Sequence, residues 1–163
     1  MHIGDFFDLK MLDEIMRSWS KATGLATVAV DNEGKYISGE IGFTDFCIKY
    51  TRGSKEGCRG CVKCDNECSG TYYCHAGLMD FSHDIIVDGQ FMGKIIGGQV
   101  LPGAPDEDKF RSMAVELGID PDKYIEALRK VPIRSEESIR AASELLGRVA
   151  VSYTHLTLPT NRE

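Results

Sequence analysis

The sequence has no apolar run near the roughly 20 residues that a membrane-crossing helix requires, so no bilayer span is expected. Positive charge is in the minority: 19 lysines and arginines stand against 25 aspartates and glutamates, a formal net charge of −6. A domain that grips nucleic acid needs a basic face to meet phosphate, so nucleic acid is not an expected partner. The start, Met1 to Lys10, mixes charged residues with Phe6 and Phe7 and lacks the zoned layout of an export signal. A cytoplasmic setting follows as an expectation. Catalytic signatures are missing too: there is no GxSxG elbow, no HExxH helix and no phosphate loop ending in lysine. Gly57-Cys58-Arg59-Gly60 lacks the strand–turn–helix setting of a nucleotide loop. A binding domain is expected, not an enzyme. Internal repeats and low-complexity tracts are absent as well.

What is present is a chain of 163 residues, 42% hydrophobic and 27% charged, the profile of one soluble globular domain. Leu12, Ile15, Met16 and Trp19 recur at helical spacing before Gly24, which predicts a helix over Asp8 to Thr23. Ala26 to Val30 and Lys35 to Ser38 flank the polar turn Asp31-Asn32-Glu33-Gly34 and predict a hairpin. Gly42 to Gly70 is a cysteine-rich insert, read as a short helix near Phe46, a loop, and a helix through the cysteines. Leu78 to Val87 and Phe91 to Leu101 are strands joined by Asp88-Gly89, a type I′ signal. Phe110 to Leu117 before Gly118, a shorter run capped by Asp120-Pro121, and Ser135 to Ala150 complete the chain as helices. The order predicts an α+β domain with an antiparallel sheet of about five strands carrying packed helices. From Val151 the helical periodicity stops, and the text is similar to the conceptual translation of a sequencing-library adapter end. Residues 1–150 are therefore read as the domain, residues 151–163 as a non-native tail, and a linked output domain as lying beyond residue 150.

Six cysteines in a chain without an export layout point to metal binding or redox chemistry before disulfides. Cys58, Cys61, Cys64 and Cys68 form C-x2-C-x2-C-x3-C, the spacing of a ferredoxin-type iron–sulfur run. Proline would follow the last of these in such a run, whereas Ser69 stands here, and no second motif supplies a second cluster. A tetrahedral zinc site offers another reading: Cys61 and Cys64 supply a C-x2-C pair, and Cys47 and Cys74 complete it from either side. Lys49, Arg52, Lys55, Arg59 and Lys63 surround the thiols and favour thiolate, as metal ligand or redox sensor alike.

Several ordered motifs carry a family resemblance. Ser20-Lys21-Ala22-Thr23-Gly24-Leu25-Ala26, Asp45-Phe46-Cys47, Cys61-x2-Cys64-Asp65, Cys74-His75-Ala76-Gly77-Leu78-x-Asp80-Phe81 and Gly97-Gly98-Gln99-Val100 together resemble the PocR sensory domain, over roughly Leu9 to Val149. The resemblance implies a PAS-like fold in which a five-stranded antiparallel sheet cups a small organic ligand, such as a diol. It implies attachment to a histidine kinase, a helix-turn-helix regulator or a cyclic-dinucleotide enzyme. It also matches the cysteine set Cys47, Cys61, Cys64 and Cys74, leaving Cys58 and Cys68 as additions with a possible metal or redox role.

Alternation places Met79, Phe81, His83, Ile85 and Val87 on one face of the first long strand. It places Phe91, Gly93, Ile95, Gly97, Gln99 and Leu101 together on the next, with the glycines leaving space over the sheet. Phe81, His83, Gly97 and Gln99 are thus the expected ligand contacts, His83 and Gln99 as polar handles. The sensor expectation adds a small organic ligand, a structural zinc and a signal helix over Ser135 to Ala150. Two rival classes stand beside it: an iron–sulfur or thiol redox module, and a homodimerisation module pairing its first and last helices.

Overall fold

Helix α1 (Leu9–Thr23) begins where the Asp8 side chain accepts the backbone N–H of Met11, and it stops at Gly24, whose left-handed φ of 72° closes the last turn. This is the first element of a computed structural model that describes residues 2–5 and 8–157. Strand β1 (Ala26–Asp31) follows, then a π-helical turn (Phe46–Thr51), helix α2 (Lys55–Glu67) and strand β2 (Gly70–Tyr73). Strands β3 (Met79–Val87) and β4 (Gln90–Val100) form the long hairpin. Both turn residues between them, Asp88 and Gly89, take positive φ, as a type I′ connection demands. Helices α3 (Glu107–Leu117), α4 (Pro121–Leu128) and α5 (Glu136–Thr157) close the chain.

The sheet is antiparallel with strand order β1-β4-β3-β2. The fold is thus α+β, compatible with a PAS-like plan, but the sheet has four strands and not five. The return of the first hairpin is reduced to isolated bridges, Val30 to Tyr36 and Thr27 to Ile41. The cause is local: the backbone N–H of Ala29 donates to the Ser38 hydroxyl at 2.8 Å, so a side chain takes a place that a ladder would give to a carbonyl. β2, which the cysteine-rich reading of Gly42 to Gly70 does not anticipate, occupies the other edge.

Two faces of the sheet do different work. Phe81, Ile85, Ile95 and Ala29 pack against Leu12, Met16 and Trp19 of α1 and Ile139 and Leu146 of α5, forming the main core. Trp19 meets Phe81 edge-on at 6.0 Å, and its indole N–H donates to the Ala142 carbonyl, tying α1 to α5. Each such large side chain contributes about 1.5–3 kcal/mol by leaving water. The opposite face carries only Val28, Val30 and Ile96 as a small apolar cluster, with Tyr36 and Phe43 packed against it. A third cluster at the end of the sheet joins Phe46, Leu78, Phe110, Tyr124 and Leu128. There Phe46 stacks on Tyr124 at 4.2 Å, and Tyr124 shares a 2.8 Å hydrogen bond with Thr51.

Helix α5 runs seven residues past the expected stop at Ala150, to Thr157. The remaining part of the expected non-native tail, residues 158–163, lies outside the described residues. Among the described residues no helix is long and apolar enough to cross a membrane.

Candidate ligand cavity and its cysteine wall

On the less apolar face of the sheet, α2 and the strands border a partly open hollow with about 40 Å³ accessible to the centre of a water molecule. Three attachments hold α2 there. Arg52, just after the π-helical turn, donates to Asp65 of α2 at 2.6 Å in a largely buried ion pair. Lys94 of β4 donates its ammonium to the carbonyls of Asn66 and Cys68, where α2 ends with unpaired acceptors. Gly60 lets the helix settle on the His75 ring, because a Cβ there would lie 2.5 Å from His75 Nδ1.

The sheet side of the hollow is made by Ala26 to Val28 of β1, Asp80 of β3, and Ile96 to Gln99 of β4. A β-bulge sets its shape. The register of β3 and β4 shifts between Met79 and Asp80, leaving Gln99 as the extra residue with φ of 56°. Alternation therefore changes phase at this point. Gln99 turns to the hollow, where its Oε1 accepts from the backbone N–H and the hydroxyl of Thr44 at 2.8 and 3.0 Å. Gly98, with φ of 132°, permits close approach of Asp80: a Cβ on it would sit 2.7 Å from Asp80 Oδ1. That oxygen accepts the backbone N–H of Gln99 at 2.8 Å.

The expected ligand contacts divide between the two faces. Gln99 borders the hollow, and so does Gly97 through its backbone. Phe81 and His83 lie on the other face: Phe81 is wholly buried in the main core, and His83 pairs with Ser143 of α5 at 3.1 Å. The space beside Gly97 is not cavity either. A Cβ there would meet Phe81 at 2.6 Å and Leu146 of α5 at 3.0 Å, so this glycine admits core side chains and not a ligand. Arg52, Asp65, His75 and Asp80 also border the hollow. The sequence signal for Asp80 is the second face of its strand, where Asp80, Ser82 and Asp84 alternate against the apolar residues.

Cys47, Cys61, Cys64 and Cys74 all line this hollow, whereas Cys58 and Cys68 do not. All six are free thiols. Burial pushes the Cys47 thiol up to about 12; it raises Cys61 to about 12 against the pull of the Arg52 charge, and carries Cys74 well above its ordinary range. Cys61 Sγ lies 3.3 Å from His75 Nε2. Burial holds the His75 ring below its usual titration range. Thiolates from separate segments are suitable donors for zinc or an iron–sulfur cluster. Yet among the described residues no group of three or more histidine, cysteine or acidic side chains stands close enough to hold an ion. Cys47 and Cys74 instead pack against the Phe46 and Leu78 cluster. In this arrangement the donor set does not fit a resident metal.

Burial also raises the Asp80 carboxyl to about 7, with the Gln99 N–H acting the other way. The hollow thus combines an apolar floor, one ion pair already closed on itself, and one deeply placed carboxyl. That defines a class: a single-sheet α+β domain with its main helical core on one face and a small, partly open chamber on the other. The profile of the family described as "Sensory domain found in PocR" matches residues 5–158, and the chain belongs to that family. Among curated proteins, the Regulatory protein PocR of Salmonella typhimurium is similar, 29% identical over 148 residues. The match covers 84% of this chain and 48% of that protein, so the chain spans about half the length of this relative.

Proposed function

We propose that the chain senses a small organic molecule for a bacterial or archaeal signal-transduction protein, a histidine kinase or a transcriptional regulator, and that the molecule binds in the hollow beneath α2. The observation that carries this reading is the thickness of the wall. Gly97 borders the hollow by its backbone and touches Phe81 and Leu146 of α5 where its side chain would be. A ligand on one side of β4 is therefore one residue layer from a helix on the other. Family membership supports the sensory role, and the half-length match supports a linked output region in the whole protein. Signalling requires that the ligand prefer one of two arrangements of α5, since equal affinity for both transmits nothing.

Thermal unfolding in the presence of short alcohols, diols, aldehydes and carboxylates tests the reading. One class is expected to raise the midpoint in a saturable way; no response to any of them counts against a small-ligand sensor. A structural zinc remains a second proposal, favoured by the four thiols on one wall, and it requires α2 to close toward Cys47 and Cys74. Stoichiometric zinc in reductively purified protein supports it, and trace zinc removes it.

A further inference from the structure

Among the described residues, Asp80 carries the one carboxyl on the sheet wall of the hollow, and only one of its two oxygens is held by the backbone. Oδ1 is fixed by the Gln99 N–H on the shelf that Gly98 provides. Among the described residues no hydrogen bond engages Oδ2. Directly across the strand pair stands Tyr72, whose buried hydroxyl also has no partner. Register partners project to the same face of a sheet, so both groups belong to the α2 side. Buried polar atoms without partners are rare in native folds, so the Tyr72 hydroxyl calls for a ligand or water, while Asp80 Oδ2 faces the open hollow. Of the other groups around the hollow, Arg52 is engaged by Asp65, and the neutral His75 ring contacts the Cys61 thiol. Asp80 Oδ2 is the unspent acceptor, anionic once its carboxyl ionises above about pH 7, and the Arg52 guanidinium that borders the hollow is already engaged by Asp65.

We infer that Asp80 is the specificity-determining residue of this site, anchoring a ligand hydroxyl through Oδ2 and rejecting ligands that carry a carboxylate. The inference rests on the reading of the hollow as a ligand site. Two effects act together. Above about pH 7, where the Asp80 carboxyl is ionised, a hydroxyl donates into a fixed acceptor, and a carboxylate would set two anions face to face. Thr51 does not compete for this role, because its hydroxyl is committed to Phe46 and Tyr124. Gln99 fixes the shelf through Thr44 and positions Asp80 without supplying the charge.

Ethane-1,2-diol and glycolate share a skeleton and differ in one terminal group, which makes them a suitable pair of probes. Binding is followed at about pH 8.5, above the Asp80 titration at about 7, by amide chemical-shift titration of Gly98 and Gln99 in the chain as it stands. The diol is expected to bind at least about tenfold more tightly than glycolate, since one lost hydrogen bond to a charged partner is worth roughly that factor. In Asp80→Asn, diol affinity is expected to fall by a similar factor and the preference over glycolate to vanish. Equal binding of both probes by the wild-type chain overturns the selectivity, whatever the variant does. Unchanged diol affinity in a folded Asp80→Asn overturns the anchor while leaving the cavity reading intact. Failure of the wild-type chain to respond to either probe overturns both.

Discussion

At the scale of single residues, a carboxyl is placed where water is scarce. Burial raises Asp80 to about 7 in the folded chain, while an unfolded aspartate titrates near 3.9. The folded state therefore holds its proton over a range in which the unfolded state has released it. The sign follows directly: the stability contributed by protonated Asp80 is fully present below about pH 3.9 and is lost as pH rises toward about 7. Asp80→Asn removes that dependence. Urea unfolding of both proteins at pH 4, 5.5 and 7 is expected to show the variant gaining on the wild type as pH rises. The gain approaches at most about 4 kcal/mol, less whatever water in the hollow relieves. His75 and His83, held low by burial, act in the opposite direction below about pH 6.5, but they do so in both proteins and cancel in the difference. A flat difference would show that Asp80 is already well solvated. Asp80 is legible in the sequence only as a member of a polar alternation. Gln99 is legible as a polar residue in an apolar strand, but strict alternation places it beside Phe81 and His83. The bulge at Gly98 and Gln99 reverses the phase, and a one-residue slip exchanges faces for everything beyond it.

At the scale of elements, capped and periodic segments follow from the sequence with little error. Asp8, Gly24, Asp120 with Pro121, and Gly118 stand at helix ends where their chemistry predicts, since each satisfies or closes a terminal turn. The edges of the sheet are less legible, because an edge strand is decided by competition for a few hydrogen bonds. Ser38 wins one such competition and dissolves a strand, whereas Thr71, Tyr72 and Tyr73 pair with β3 and create one. The interface of α5 with the sheet also hides from sequence, because it depends on what a glycine leaves out. Gly147 admits the His83 ring, and a Cβ there would lie 2.8 Å from two of its atoms. Glycine to alanine inside an exposed helix ordinarily stabilises by about 1 kcal/mol. Here Gly147→Ala is expected to destabilise by about 1–3 kcal/mol, because the ring or the helix must move. Denaturant unfolding checks the sign. The double variant His83→Ala with Gly147→Ala is expected to recover most of the loss, and an additive cycle would show that the two residues do not contend for the same space.

At the scale of the whole molecule, the sheet is a partition between a chamber and a helix. On the chamber side, α2 is held by the Arg52–Asp65 pair and by Lys94, attachments that are polar and few. On the other side, α5 is held by Ile139, Ala142, Leu146 and Ala150 in the main core and by the His83–Ser143 contact. The two sides meet at Gly97, which has no side chain to absorb a displacement. A ligand that settles against Gln99 and Asp80 would have to push on the strand that carries Phe81 and Leu146 on its far face. Packed interiors transmit such shifts because they have little free volume to take them up. Hydrogen exchange with and without saturating ethane-1,2-diol reads this coupling. Amides of α2 are expected to slow because the ligand closes their face of the chamber. Amides of α5 around Leu146 are expected to change in the same titration, with the same midpoint, although among the described residues none of α5 borders the hollow. In Asp80→Asn both responses are expected to move together to higher ligand concentration. A response confined to α2 would leave a binding site without a route across the sheet, since α5 would then not register that the chamber is filled.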